Sequence, residues 1–108
     1  MTLPFFSEAA RRDRREITEH TVAEFGVEQA RRLRDNFEAT FILLVESPGL
    51  GRSRPELDPP GHSFRYLVVR RRFIVVYEET ETGVRVARIL HGARNLAAEL
   101  DRDSGDAR

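Results

Sequence analysis

The sequence predicts an α+β domain: a short N-terminal strand, a helical hairpin packed on an antiparallel three-stranded meander, and a short C-terminal helix. Three observations carry this. Residues 62–96 hold three apolar, β-branched runs in succession, at 64–69, 73–77 and 84–90, and Val, Ile, Phe and Tyr suit a pleated, half-buried surface. The separators read as turns: Arg70, Arg71 and Arg72 divide the first two runs, and residues 78–83 divide the second from the third. Gly83 supplies the positive φ that a hairpin loop with a bulge requires. Upstream, Ala30, Leu33, Phe37, Phe41 and Leu44 recur at spacings of 3, 4, 4 and 3, the stripe of an amphipathic helix.

Taken in order, residues 3–6 form a short apolar run that reads as a strand feeding a helix. Ser7 is a good N-cap and Glu8 places a negative charge in the first turn. The first helix is expected over 8–24, with a thin apolar stripe of Ala10, Ile17 and Thr21, then Phe25. The run Arg11-Arg12-Asp13-Arg14-Arg15 admits two readings, nucleic-acid contact or a solvated face. Interleaved acids favour the solvated face. Gly26 breaks the helix, and the second spans Val27–Glu46 up to Pro48. Phe25, Phe37 and Phe41 are expected in the core at the crossing. Residues 47–61, rich in Pro and Gly, read as an irregular return to the sheet. Gly49-Leu50-Gly51 lacks the Gly-Lys-Ser/Thr ending of a phosphate-binding loop. The middle strand, 73–77, has no polar alternation, so both of its faces need cover. Gly92 is a natural exit from the sheet. Residues 93–100 read as a short helix and 101–108 as a polar, flexible tail.

The chain has 108 residues, which fits one domain over 1–100 followed by that tail. Hydrophobic residues make up 40%, enough for a modest core and too many for a disordered chain. With no Cys, a disulfide, a thiol nucleophile and a Cys–metal site are excluded. No apolar run reaches the roughly 18 residues of a membrane span. The first residues lack the basic and long apolar regions of a signal peptide, so a cytoplasmic location is expected. Basic and acidic residues balance at 18 each, and every basic residue is Arg. No Lys can therefore act as a base or phosphate clamp. Zero net charge argues against a dedicated duplex-binding protein, so direct sequence-specific nucleic-acid binding is not expected.

A basic strand pair ending in Tyr77, an acidic hairpin, and then Arg88-Ile89-Leu90-His91-Gly92-Ala93-Arg94-Asn95-Leu96 resembles the RelE/ParE superfamily of toxins from type II toxin–antitoxin pairs, closest to the ParE branch. Ala10 and Asp13 in the first helix, Phe25-Gly26 between helices, and Ser47-Pro48-Gly49-Leu50-Gly51 after the second match in order. Asn95 stands where the branch carries Asp. The resemblance covers roughly residues 3–100. It implies a toxin that inhibits DNA gyrase by binding and is neutralised by a cognate, ParD-like antitoxin, with no cofactor. The alternative it leaves open is ribosome-dependent mRNA cleavage of the RelE kind, and a third option is a degenerate toxin kept as an antitoxin's partner.

The residues bear on that choice. In-line RNA cleavage needs a base, cations for the phosphorane-like state and an acid for the leaving oxygen. The two Lys positions of RelE-like chains fall here on Arg65 and Leu67, the next-strand Arg on Ile74, the later Arg on Arg94, and the C-terminal Tyr near Leu100. An endonuclease reading would have to use Arg65, His91 and Arg94, and a guanidinium is a poor proton shuttle. His91 admits a general acid–base role and a structural one at the sheet edge, the structural one being favoured. His20, His62 and His91 have no metal-ligand spacing, so no metal site is expected. For a binding toxin the candidate target contacts are Arg70, Arg71, Arg72 and Arg94, while the antitoxin-binding residues are not assigned. One further expectation needs no family. The helical hairpin covers one sheet face, and little apolar sequence remains for the other. Either a partner covers it or the 47–61 loop and the C-terminal residues do, and the partner is the favoured reading.

Overall fold

A computed structural model describes residues 2–92 and residue 100. The elements follow in the order β1 (Phe5–Phe6), α1 (Glu8–Phe25), α2 (Val27–Glu46), β2 (Arg52–Ser53), β3 (Arg65–Val69), β4 (Phe73–Thr80) and β5 (Gly83–His91). Short 3₁₀ turns at Pro48–Leu50 and Pro55–Leu57 flank β2. The strands form one five-stranded mixed sheet in the order β1-β5-β4-β3-β2. The three central strands are the expected antiparallel meander. The two edge strands extend it, β1 parallel to β5 and β2 antiparallel to β3. The fold is α+β, a helical hairpin on one face of the sheet. The expected helix over 93–100 lies outside the described residues except for Leu100.

Local chemistry sets the boundaries. Ser7 caps α1: its Oγ accepts the Ala10 N–H at 3.0 Å and donates to the Ala87 carbonyl at 2.7 Å. One hydroxyl thus satisfies a helix-end donor and fastens the helix to β5. Gly26, at φ 92, ends α1 and opens α2. The β4–β5 hairpin turns on Glu81 and Thr82, with Thr80 opposite Gly83, and Gly83 takes the expected positive φ of 141. The bulge is not in that loop. It lies mid-strand, where Tyr77 pairs with Val86 and Val76 with Arg88, leaving Ala87 as the extra residue. Such bulges bend a strand and re-aim its side chains.

The main core lies between helices and sheet, built on Phe37, Phe41, Leu44, Val75, Tyr77, Val86 and Ile89. Phe37 sits 5.9 Å from Phe41 and 5.3 Å from Phe73, centroid to centroid, within the range of favourable ring pairs. Phe25 departs from expectation. It is 58% exposed, because the helix pair ends there and its ring extends past the crossing. The sheet's other face is also covered over most of its area, with Val68, opposite Ile74, left exposed. Phe64, Tyr66, Ile74, Val76, Ala87, Leu90 and Leu100 form a second buried cluster, with Leu57 packed against it. The expectation of an open apolar sheet face is therefore overturned: Leu57, from the loop after β2, and Leu100 supply the cover within the chain.

The 47–61 loop is held by side chains of the sheet. The Tyr77 hydroxyl donates to the Pro48 carbonyl and accepts the Gly51 N–H, both at 2.7 Å. A Cβ on Gly51 would lie 2.8 Å from that hydroxyl, so the close approach requires glycine. The Tyr66 hydroxyl donates to Asp58 at 2.7 Å. Burial pushes the ionisation of both tyrosines upward, and for Tyr66 the Asp58 carboxylate adds to the effect.

Candidate functional site

At the end of the sheet where β3 turns into β4, Arg70 and Arg71 have φ of 54 and 63. For residues with a Cβ this left-handed conformation costs about 1–2 kcal/mol each. Strain of this kind persists where surrounding structure enforces it, and it concentrates at functional sites. The turn is held by the Arg72 N–H on the Val69 carbonyl at 3.3 Å and by the Gly92 N–H on the Arg72 carbonyl at 2.7 Å. The second bond ties the tip to the end of β5. All three arginines are exposed. Among the described residues, no hydrogen bond or ion pair engages their guanidinium groups.

Beside this tip opens a cleft of about 760 Å³. Its walls are the C-terminal half of α1, the start of α2, the Arg70–Arg72 turn and the end of β5, with Phe25, Leu33 and Phe73 among its apolar lining. His91 stacks on Phe73 at 5.0 Å, and His20 approaches it from α1 at 6.3 Å. Glu16, Gln29, Arg70 and Arg72 supply polar groups around the apolar lining.

The floor of the cleft is a buried ion pair. Arg88 donates to both carboxylate oxygens of Asp13, at 2.7 and 2.9 Å, and the Ile89 N–H donates to Asp13 at 2.9 Å. Both side chains are under 10% exposed. Asp13 is therefore not part of a solvated face, as its Arg-rich surroundings imply, but the bolt between α1 and β5. A bidentate Arg–carboxylate pair with an added backbone donor is the geometry that offsets the cost of burying two charges.

The structure separates the residues of the endonuclease alternative. Arg65 opens β3, and its guanidinium donates to the Gly51 carbonyl at 2.8 Å, so it braces the loop. Arg65 stands opposite Tyr77, whereas His91 stands opposite Phe73. Four residues of β4 place them roughly 13 Å apart along the strand. Leu67 packs against the main core, and Ile74 and Leu100 are buried in the second cluster. Arg94 lies outside the described residues. His62 lies away from the cleft, stacked on Phe64 at 4.8 Å and 3.4 Å from Glu78, which Arg85 also contacts at 2.8 Å. No group of three His, Cys, Asp or Glu placed to hold a metal ion occurs among the described residues. Nor is any described helix long and apolar enough to cross a membrane.

Of the sequence-predicted contacts, Arg70 and Arg72 line the cleft, as does His91, while Arg71 sits on the same turn without lining it. Sequence reasoning missed His20, Phe25 and the Asp13–Arg88 pair. The available signal was Arg88 itself, a charge inside an otherwise apolar stretch of the last strand.

A family model described as the ParE toxin of type II toxin–antitoxin system, parDE, matches residues 5–96. Among solved structures, a chain of the chromosomal ParDE TA system from P. aeruginosa superposes with a TM-score of 0.69 at 22% identity, covering 86% of this chain and 98% of that one. At that identity the likeness shows the fold. Comparison with curated proteins gives no match.

Proposed function

We propose, from the premise that this chain belongs to the ParE toxin family of type II toxin–antitoxin systems, that it inhibits DNA gyrase by binding and is neutralised by a cognate antitoxin. The observation that carries the reading is the fate of the positions where the nuclease branch keeps ionisable groups. Leu67 packs against the main core, while Ile74 and Leu100 are buried in the second cluster. Core side chains cannot transfer protons, so toxicity rests on contact. The exposed candidates for target contact are Arg70, Arg71 and Arg72, with Arg94 following β5 in the sequence.

Two assays on the purified chain test this. One follows gyrase supercoiling and cleavage-complex formation; the other maps mRNA ends on translating ribosomes. The expected outcome is gyrase inhibition, relieved by the antitoxin, without codon-phased cuts. Conservative replacement of Arg65 or His91 should lower toxicity by modest factors, whereas loss of a general acid or base costs about 10²–10⁴-fold in rate. Ribosome-dependent cuts abolished by His91→Ala, with gyrase untouched, would overturn the reading.

A further inference from the structure

We infer that the cleft beside the Arg70–Arg72 turn docks an acidic polypeptide segment with an apolar anchor, its carboxylates meeting Arg70 and Arg72 and its anchor entering between Phe25, Leu33 and Phe73. The inference rests on the binding reading above and adds the chemistry of the docked segment.

Three observations point to it. The tip holds three exposed guanidinium groups that no ion pair or hydrogen bond among the described residues engages, on a backbone fixed in the left-handed region at Arg70 and Arg71. Unengaged guanidinium forks suit bidentate pairing with carboxylates. The adjoining cleft is large enough for a bulky side chain, with Phe25 and Leu33 beside the polar groups. Phe25 is an aromatic ring more than half exposed at its wall, and exposed aromatic and Arg groups around a concave site are the usual anchors of a protein interface.

Other occupants fit less well. A polyphosphate backbone has no apolar side chain to fill the space beside Phe25, Leu33 and Phe73, and the chain carries no net positive charge to hold one. A second copy offers the acidic β4–β5 tip, but Glu79, Thr80, Glu81 and Thr82 provide no apolar anchor.

The test is panning of a phage-displayed library of random peptides, each about a dozen residues, against the full-length chain near physiological salt. Enriched sequences should place Asp or Glu one or two positions from Leu, Phe or Trp. The affinity of the best synthetic peptide should fall at least tenfold in an Arg70→Asn, Arg72→Asn variant, Asn being tolerant of the left-handed φ at position 70. It should fall severalfold in Phe25→Ala, with circular-dichroism melts not lowered in either variant. Arg70→Glu with Arg72→Glu should turn the selection toward basic peptides. The proposal is overturned by no enrichment, by enrichment without acidic residues, or by peptide binding that survives the double Asn variant. It also fails if a mixed-sequence oligonucleotide binds more tightly than the best peptide, or if sedimentation shows self-association lost in Phe25→Ala. Gyrase inhibition without acidic-peptide binding removes only this proposal; acidic-peptide binding without gyrase inhibition removes only the gyrase reading.

Discussion

Single residues carry more of this molecule's stability than its size implies, and Asp13 is the clearest case. Removing one partner of a buried pair strands the other charge, so Asp13→Ala should cost roughly 3–5 kcal/mol in denaturant melts. Replacing both together, Asp13→Leu with Arg88→Met, should recover most of that loss, because the desolvation cost disappears with the charges. If the double replacement is as damaging as the single one, the pair serves by its hydrogen bonds rather than its charges. Apart from its place in the family pattern, nothing local marks Asp13 in the sequence. It sits among arginines, and its partner is 75 residues away, so only the fold reveals its burial. The tyrosines give a second test at this scale. Tyr66 and Tyr77 are the two tyrosines of the chain, and both have raised ionisation in the folded state. A raised folded value means that stability is full below the ordinary phenol range near pH 10 and is lost as pH rises beyond it. Phenolate absorbance should therefore appear together with loss of helical circular dichroism. Phenolate formation in a chain that keeps its helical signal would show that the two hydroxyls are not held as described.

At the scale of elements, legibility follows punctuation. The second helix is visible to the residue, because Gly26 and Pro48 bracket a long periodic stripe, and the three central strands are visible because their apolar runs exceed any helical alternative. The two edge strands are not equally visible. Phe5–Phe6 reads as a strand, but its parallel pairing with β5 has no sequence signature. Arg52–Ser53 carries no apolar alternation and is a strand only through its register against Arg65 and Tyr66. The same logic hid the cleft, since its walls come from four elements that meet only in the fold. Phe37→Ala should cost about 3–5 kcal/mol, measured by denaturant unfolding, since its ring bridges α2 and β4 through Phe41 and Phe73. A loss under about 1 kcal/mol would contradict that packing. In the β3–β4 turn the sign reverses. Arg71→Asn should raise stability by roughly 0.5–1 kcal/mol, because Asn tolerates the left-handed φ that Arg adopts under strain.

Across the whole molecule, the largely covered second face changes what is expected of the isolated chain. A sheet open on one side would bind hydrophobic dyes and self-associate. With Ile74, Val76 and Leu90 buried, the folded chain should bind such dyes weakly and sediment as a monomer at moderate concentration. Strong dye binding in the native state would return the open face to consideration. The exposed large apolar side chains among the described residues are instead spread over several elements: Leu3 and Phe5 by the first strand, Val22, Phe25 and Val27 at the helix junction, Leu43 on α2, Leu50 after it and Val68 on β3. Partner recognition is accordingly expected from local sites such as the cleft rather than from one bare sheet face.

The Ser7–Ala87 hydrogen bond spans 80 residues, and the parallel pairing of Phe5 and Phe6 with Arg85 and Val86 closes the same long loop. During synthesis the first strand emerges early, yet its seat does not exist until the last strand has been made. At roughly 5–20 residues per second the interval is about 4–16 s. Throughout that time the helical hairpin lacks the strand against which α1 is bolted, and the cleft lacks the wall that carries His91. Contacts of such sequence separation form late, because their loop entropy is lost before they are rewarded. Ser7→Ala should accordingly speed unfolding while leaving the refolding rate nearly unchanged. A chain built this way can complete its cleft only after β5 has been synthesised.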